Sequence, residues 1–210
     1  AFYDYLRSIG DNEQTVLHYH NLLHAMFEYA IKQELFEYNP MQRVDRPTVK
    51  RYPASFYSVE EVQTLLAFAK DDPLYIPIVL AVYCGMRRSE ALGMTWDCVD
   101  FENDKISVQK KVIEISKNGK KQIIVSDELK TESSRRVIPI PKQLIPHLRE
   151  LKKKSNSKHV VFDGAKVITV RSYQRSFELL LQKQKISHHG FHALRHTFAT
   201  RAIECGMDVK

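Results

Sequence analysis

The chain has 210 residues, a hydrophobic content of 43% and a formal net charge of +7. That content supports a buried core and excludes wholesale disorder, and no apolar run reaches the roughly 18 residues of a membrane span. The basic balance is uneven: residues 1–50 hold 5 Lys/Arg against 7 Asp/Glu, and the rest of the chain holds 27 against 18. A basic C-terminal part suits a polyanionic partner such as nucleic acid, although charge alone suits a solubilising surface equally well.

Leu17, Leu22, Leu23, Met26, Phe27, Ala30 and Ile31 recur at helical spacing, so residues 12–38 are expected to form one long helix or a helix pair ended by Asn39-Pro40. Residues 41–57 contain Pro47, Pro53, Arg43, Arg46, Lys50 and Arg51 and read as an extended basic linker. Ser58-Val59-Glu60-Glu61 offers a capping box for the next helix. An apolar run over 74–84 reads as a buried helix ending near Gly85, and a second helix is expected over 88–95.

The period then changes. Ile106–Val108, Val112–Ile115, Ile123–Val125 and Val137–Ile140 are β-branched runs, with Asn118-Gly119 as a hairpin turn between the middle two. Helical patterns resume over 142–153, 171–184 and 191–205. This order predicts a mainly α (α+β) fold with a small antiparallel sheet rather than an alternating α/β fold. Cys84, Cys98 and Cys205 are odd in number and lie in apolar surroundings, which suggests buried thiols in a cytoplasmic protein.

Three segments carry chemistry. Arg87 follows the turn-permitting Gly85 at the start of a helix, where a cation is locally unfavourable unless an anion fills the space. Glu90 is placed to hold its guanidinium by a bidentate pair. Taken alone, the segment also suits an ordinary surface arginine. Lys130, between two strand-like runs, can reach into a groove or simply decorate the surface. In the third, Phe191, Leu194 and Phe198 form a core stripe, while His192 and Arg195 are three apart on another face. A fixed guanidinium fork beside an imidazole suits a phosphodiester. His196 points elsewhere and reads as a buried, hydrogen-bonding histidine. His18, His20 and His24 read as core or DNA-backbone residues rather than a zinc site.

The strings Cys84-Gly85-Met86-Arg87-Arg88-Ser89-Glu90-Ala91-Leu92, Lys130-Thr131 through Arg136-Val137-Ile138-Pro139, and His192-Ala193-Leu194-Arg195-His196-Thr197-Phe198-Ala199-Thr200 together resemble the catalytic domain of the tyrosine recombinases, the phage and conjugative-transposon integrases. The resemblance implies that 1–40 is the C-terminal part of a helical core-binding domain and 58–210 a catalytic domain. It implies site-specific DNA recombination through a 3′-phosphotyrosine, without metal, ATP or other cofactor. A chromosome-dimer-resolving enzyme of the same chemistry or an inactive DNA-binding module are the alternatives.

By matching position, Arg87 and Arg195 would clamp the phosphate, Lys130 would protonate the departing 5′ oxygen, His192 would assist proton transfer and Glu90 would support the site. Arg43, Arg46, Lys50, Arg51, Arg88, Arg135 and Arg136 are the expected DNA contacts. The implied partners are double-stranded DNA and further copies of the chain, as a tetramer on two duplexes, in the bacterial cytoplasm. All ten tyrosines precede His192, so the nucleophile is expected in a segment beyond this chain.

Overall fold

The computed structural model describes residues 2–50, 55–117, 120–127, 135–163 and 166–207. The chain divides into two compact units, Ala1–Pro53 and Ala54–Lys210.

In the first unit, α1 (Phe2–Ser8) precedes the 20-residue α2 (Glu13–Lys32), whose Asn12 cap accepts from the Thr15 N–H at 2.9 Å. Helix α1 was not foreseen. Nor is Asn39 a simple helix breaker: its buried side chain donates to the His24 carbonyl and to Glu28 Oε1, and accepts from the Met41 N–H. These bonds fold a short 3-10 helix, Pro40–Arg43, back onto α2 and bury Met41. The start of the stretch read as linker therefore packs within this unit. With only such short neighbours, α2 buries Val16 and His20, while Leu22 and Met26 of the expected apolar stripe are exposed.

Near the start of the second unit, the side chain of Tyr57 is fully buried in that unit's core, although the sequence placed it in the linker. The capping box at Ser58 forms as read: Ser58 Oγ accepts from Glu61 N–H at 3.2 Å, and Glu61 Oε2 accepts from Ser58 N–H at 2.8 Å. It starts α3 (Val59–Ala69). Helix α4 (Tyr75–Cys84) is buried from Ile76 to Ala81 and ends at Gly85 with φ 59°, the left-handed turn that glycine adopts without a Cβ clash.

Helix α5 (Arg88–Leu92) is shorter than expected. It stops at Gly93, where a Cβ would lie 2.6 Å from the Lys111 backbone, so the strand beyond packs directly against the helix end. The sheet order is β1 (Val99–Asp100), β2 (Lys105–Val108), β5 (Arg136–Pro139), all antiparallel. Strands β3 (Lys111–Lys117) and β4 (Lys120–Ser126) form an antiparallel ribbon in register from Lys111↔Ser126 to Lys117↔Lys120. The Asn118-Gly119 turn lies outside the described residues. Helix α6 (Leu144–Lys154), the short pair β6 (Phe162–Asp163) and β7 (Lys166–Val167), α7 (Val170–Lys183) and α8 (His192–Glu204) complete the unit.

Leu65, Ile78, Leu80, Leu92, Ile106, Leu148, Phe177 and Leu194 meet in one core, and α8 packs on α4. Phe191 stands edge-on to both Tyr173 and Phe177, with ring centroids 5.4 Å away. This anchors the start of α8 and with it the orientation of His192 and Arg195. Of the cysteines, only Cys98 is buried; Cys84 is half-buried and Cys205, in the last turn beyond α8, is exposed. Among the described residues no helix is long and apolar enough to cross a membrane.

Candidate active site

Gly85 lets the chain turn sharply out of α4, and Arg87 then becomes the cap of α5 in extended backbone (φ −72°, ψ 150°). Glu90, one turn on, is only 3% exposed. Its Oε2 accepts from the Arg87 backbone N–H at 2.9 Å and its Oε1 from Arg87 Nη1 at 2.8 Å. The expected fork-to-fork pair is thus replaced by one side-chain and one backbone bond. Arg136 Nη2 reaches the same Oε2 at 3.0 Å, so two guanidiniums share one buried carboxylate. Burial pushes the Glu90 carboxyl up, but the hydrogen bonds from Arg136 and Arg87 outweigh it and hold the group below the ordinary range.

Arg195 comes from the first turn of α8, and its Nη1 donates to the Gly85 carbonyl. Partial burial lowers its pKa, and the cations of Arg87 and Arg136 lower it further while Glu90 opposes them. An arginine does not lose its proton for this; the repulsion instead records three guanidiniums gathered around one carboxylate, a place that favours an added anion. The Arg87 side chain is 45% exposed, so it faces solvent as well as Glu90.

His192 opens α8 with an exposed ring that stands edge-on to His196 at 4.8 Å. Partial desolvation, then His196, Arg195, Arg87 and Arg88, hold it below the ordinary imidazole range, which favours the neutral ring that can share a proton. His196 is half-buried against His192 rather than buried and turned elsewhere. Arg88 Nη1 donates to Gln174 Oε1, and Gln174 Nε2 to Glu178 Oε1. Arg88, Gln174, His189 and His192 help line a cavity of about 250 Å³.

The structure therefore brings Arg87, Arg88, Glu90, Arg136, His192 and Arg195 into one region. Lys130 and Arg51 lie outside the described residues. Arg135 is exposed and donates to the Asp127 carbonyl at 3.3 Å. Arg43, Arg46 and Lys50 are exposed in the first unit, where Arg43 stacks on Tyr38 at 4.9 Å. His20 is buried with Nδ1 2.8 Å from Tyr3 Oη, the expected core role. Sequence reasoning missed a brace behind the site: Tyr57 N–H donates to Thr197 Oγ1 at 2.9 Å, and Tyr57 Oη to the Gly190 carbonyl at 3.1 Å. Nothing in the local pattern around Tyr57 signals this, because its partners are more than a hundred residues away.

A helical α+β unit that brings guanidiniums from the start of α5, from β5 and from α8 to one region, with an imidazole beside them, is suited to holding an anion. The chain belongs to the phage integrase family, whose model matches residues 56–210. A XerC-like tyrosine recombinase of Caldanaerobacter subterraneus subsp. tengcongensis is 27% identical over 235 residues, covering 100% of this chain and 60% of the relative. The transposase from transposon Tn916 of Enterococcus faecalis is 28% identical, covering 94% of this chain and 53% of the relative. The chain thus spans little more than half the length of these curated relatives. Among solved structures, the Tn1549 transposon integrase in complex with transposon right end DNA superposes with a TM-score of 0.75 at 25% identity, covering 97% of this chain and 71% of that one. Lambda integrase shares the fold, with a TM-score of 0.60 at 18% identity.

Proposed function

We propose that this chain supplies the DNA-clamping and phosphoryl-transfer machinery of a site-specific recombinase, the integrase of a mobile genetic element. The observation that carries the reading is the convergence of Arg87 and Arg195, from helices far apart in sequence, at a buried carboxylate and beside His192.

Attack on a phosphodiester adds negative charge to the non-bridging oxygens. Two guanidiniums held in place before the reaction stabilise that charge; loss of one such donor typically costs about 10²–10³ in rate. His192, its neutral ring favoured, shares or relays a proton at the attacked phosphate. Lys130 is assigned the proton that the departing 5′ oxygen takes up. A tyrosine beyond His192 in the full-length protein attacks phosphorus, the bond to the 5′ oxygen breaks, and a 3′-phosphotyrosine forms. The 5′-hydroxyl of another strand then attacks that linkage and releases the tyrosine. Each bond broken is matched by one formed, so no ATP is consumed.

Residues 1–40 would belong to a helical DNA clamp, 41–57 to a basic linker and 58–210 to the catalytic domain. The partners would be double-stranded DNA and further copies of the protein, as a tetramer on two duplexes in the cytoplasm. The same chemistry would also serve a second reading, resolution of chromosome dimers, which predicts exchange between identical chromosomal sites rather than element ends. The test of the chemistry is incubation of the full-length protein with a nicked DNA site in EDTA. A covalent adduct mapped to a tyrosine downstream of His192 is expected. Adduct formation that requires a divalent metal, or none under any condition, would overturn the reading.

A further inference from the structure

Strand β5 separates two adjacent arginines. Successive side chains of a strand point to opposite faces, and here Arg136 and Ile138 take the half-buried positions while Val137 and Pro139 are exposed. Arg135, one residue ahead, is exposed. An inward-pointing guanidinium needs a partner, and Arg136 reaches Glu90 Oε2 at 3.0 Å with its side chain 27% exposed against 3% for the carboxylate. We propose that Arg136 is a positioning residue for Arg87, acting through Glu90 rather than by contacting DNA. This rests on the reading of the site given above.

The physical case is one of shared charge. A carboxylate held by Arg87 alone would cancel most of that guanidinium's field and weaken its hold on a phosphate. With Arg136 on the second oxygen, two cations divide one anion, and Arg87 keeps net positive character toward solvent. The same bond fixes where Glu90 sits, and Glu90 in turn holds both the backbone N–H and the Nη1 of Arg87. It also ties β5, which pairs with β2 through Val108↔Arg136, to the start of α5. Among the described residues, the charged groups that act on Glu90 are Arg87 beside it, Arg136 from β5 and Arg195 from α8, with Cys98 and Lys110 close by.

The test uses Arg136→Ala, Arg136→Gln and Arg136→Lys, with folding checked by thermal melting. In the full-length protein, single-turnover cleavage of a nicked site should fall roughly tenfold to a hundredfold in Arg136→Ala, the scale of a small misplacement at a reacting centre. DNA affinity and its salt dependence should not change. The acid limb of the cleavage rate should move to higher pH, because Glu90 keeps its burial and loses a hydrogen-bond donor. Lysine should recover part of the rate. In a Glu90→Gln background, Arg136→Ala should add little; a full additive loss would overturn the proposal. So would a salt slope reduced by about 0.9 with cleavage unchanged at saturating DNA, the behaviour of a phosphate contact. If Arg136→Ala does not fold, Arg136→Gln carries the same comparisons. A readout independent of recombinase activity is the ¹³C titration of the Glu90 carboxyl in this chain without DNA. An unchanged titration in the Arg136 variants would sink the positioning role, whereas absent cleavage by the wild type would sink only the functional reading.

Discussion

The Arg195 guanidinium donates to the carbonyl oxygen of Gly85, so the two arginine-bearing segments are joined at the turn that delivers Arg87. The turn has little room to change. Gly85 has φ +59°, and a Cβ there would lie 2.6 Å from Phe198 Cδ1. Gly85→Ala is expected to destabilise the chain by about 1–2 kcal/mol from the left-handed backbone alone, with the displaced Phe198 adding to it. Urea denaturation reads this directly. An unchanged midpoint would mean that the turn is not under the constraint described.

Thr197 should matter for stability more than an ordinary helix threonine. It is buried, its hydroxyl donates to the Ala193 carbonyl, and its oxygen accepts from the Tyr57 N–H. Thr197→Val leaves that buried N–H without a partner and is expected to cost about 1–3 kcal/mol, whereas Thr197→Ser keeps the hydroxyl and should cost less. Equal losses in the two variants would show that packing, not the hydrogen bond, sets the cost.

The pH behaviour of His192 has a definite sign. Its folded pKa lies below the ordinary 6.5, so the unfolded chain binds the proton first. Its contribution is nil above that value and becomes unfavourable to the fold as pH drops from about 6.5 toward the folded pKa. A DNA phosphate placed among Arg87, Arg195 and His192 would offset the cations and raise the imidazole pKa again. NMR titration of His192 should therefore show a value below 6.5 in the free chain and an upward move with a short duplex bound. A free value at or above 6.5 would contradict the partial burial and the neighbouring cations described here.

Exposed arginines should differ from those of the site in their salt response. Arg135→Ala and Arg43→Ala are each expected to weaken DNA binding and to reduce the slope of log K against log [salt] by about 0.9. Fluorescence anisotropy with a duplex over a salt series is sufficient. Slopes equal to wild type would remove these residues from the DNA contacts.

Local rules made much of this molecule readable from its sequence. The capping box at Ser58, the glycine stop after α4, the β-branched runs and the helical stripes of α7 and α8 are each encoded within one or two turns of chain. That Arg87, His192 and Arg195 come together was legible because each lies in a short, recognisable string. Arg135 and Arg136 were both expected as DNA contacts; the alternation through Val137 and Pro139 was the available signal that Arg136 takes the half-buried side of β5 while Arg135 is exposed. The Tyr57–Thr197 brace, the bonds of Asn39 to α2 and the exposure of Leu22 and Met26 depend on which elements become neighbours, and no local pattern states that.

The most direct test of paired guanidiniums at one phosphate compares the full-length protein with its Arg87→Ala and Arg195→Ala variants on a nicked site. Covalent adduct formation and DNA affinity are measured on the same samples. Each variant is predicted to lose cleavage by about 10²–10³ or more while binding the duplex nearly as tightly as wild type. Adduct formation at the wild-type rate in either variant would contradict the account.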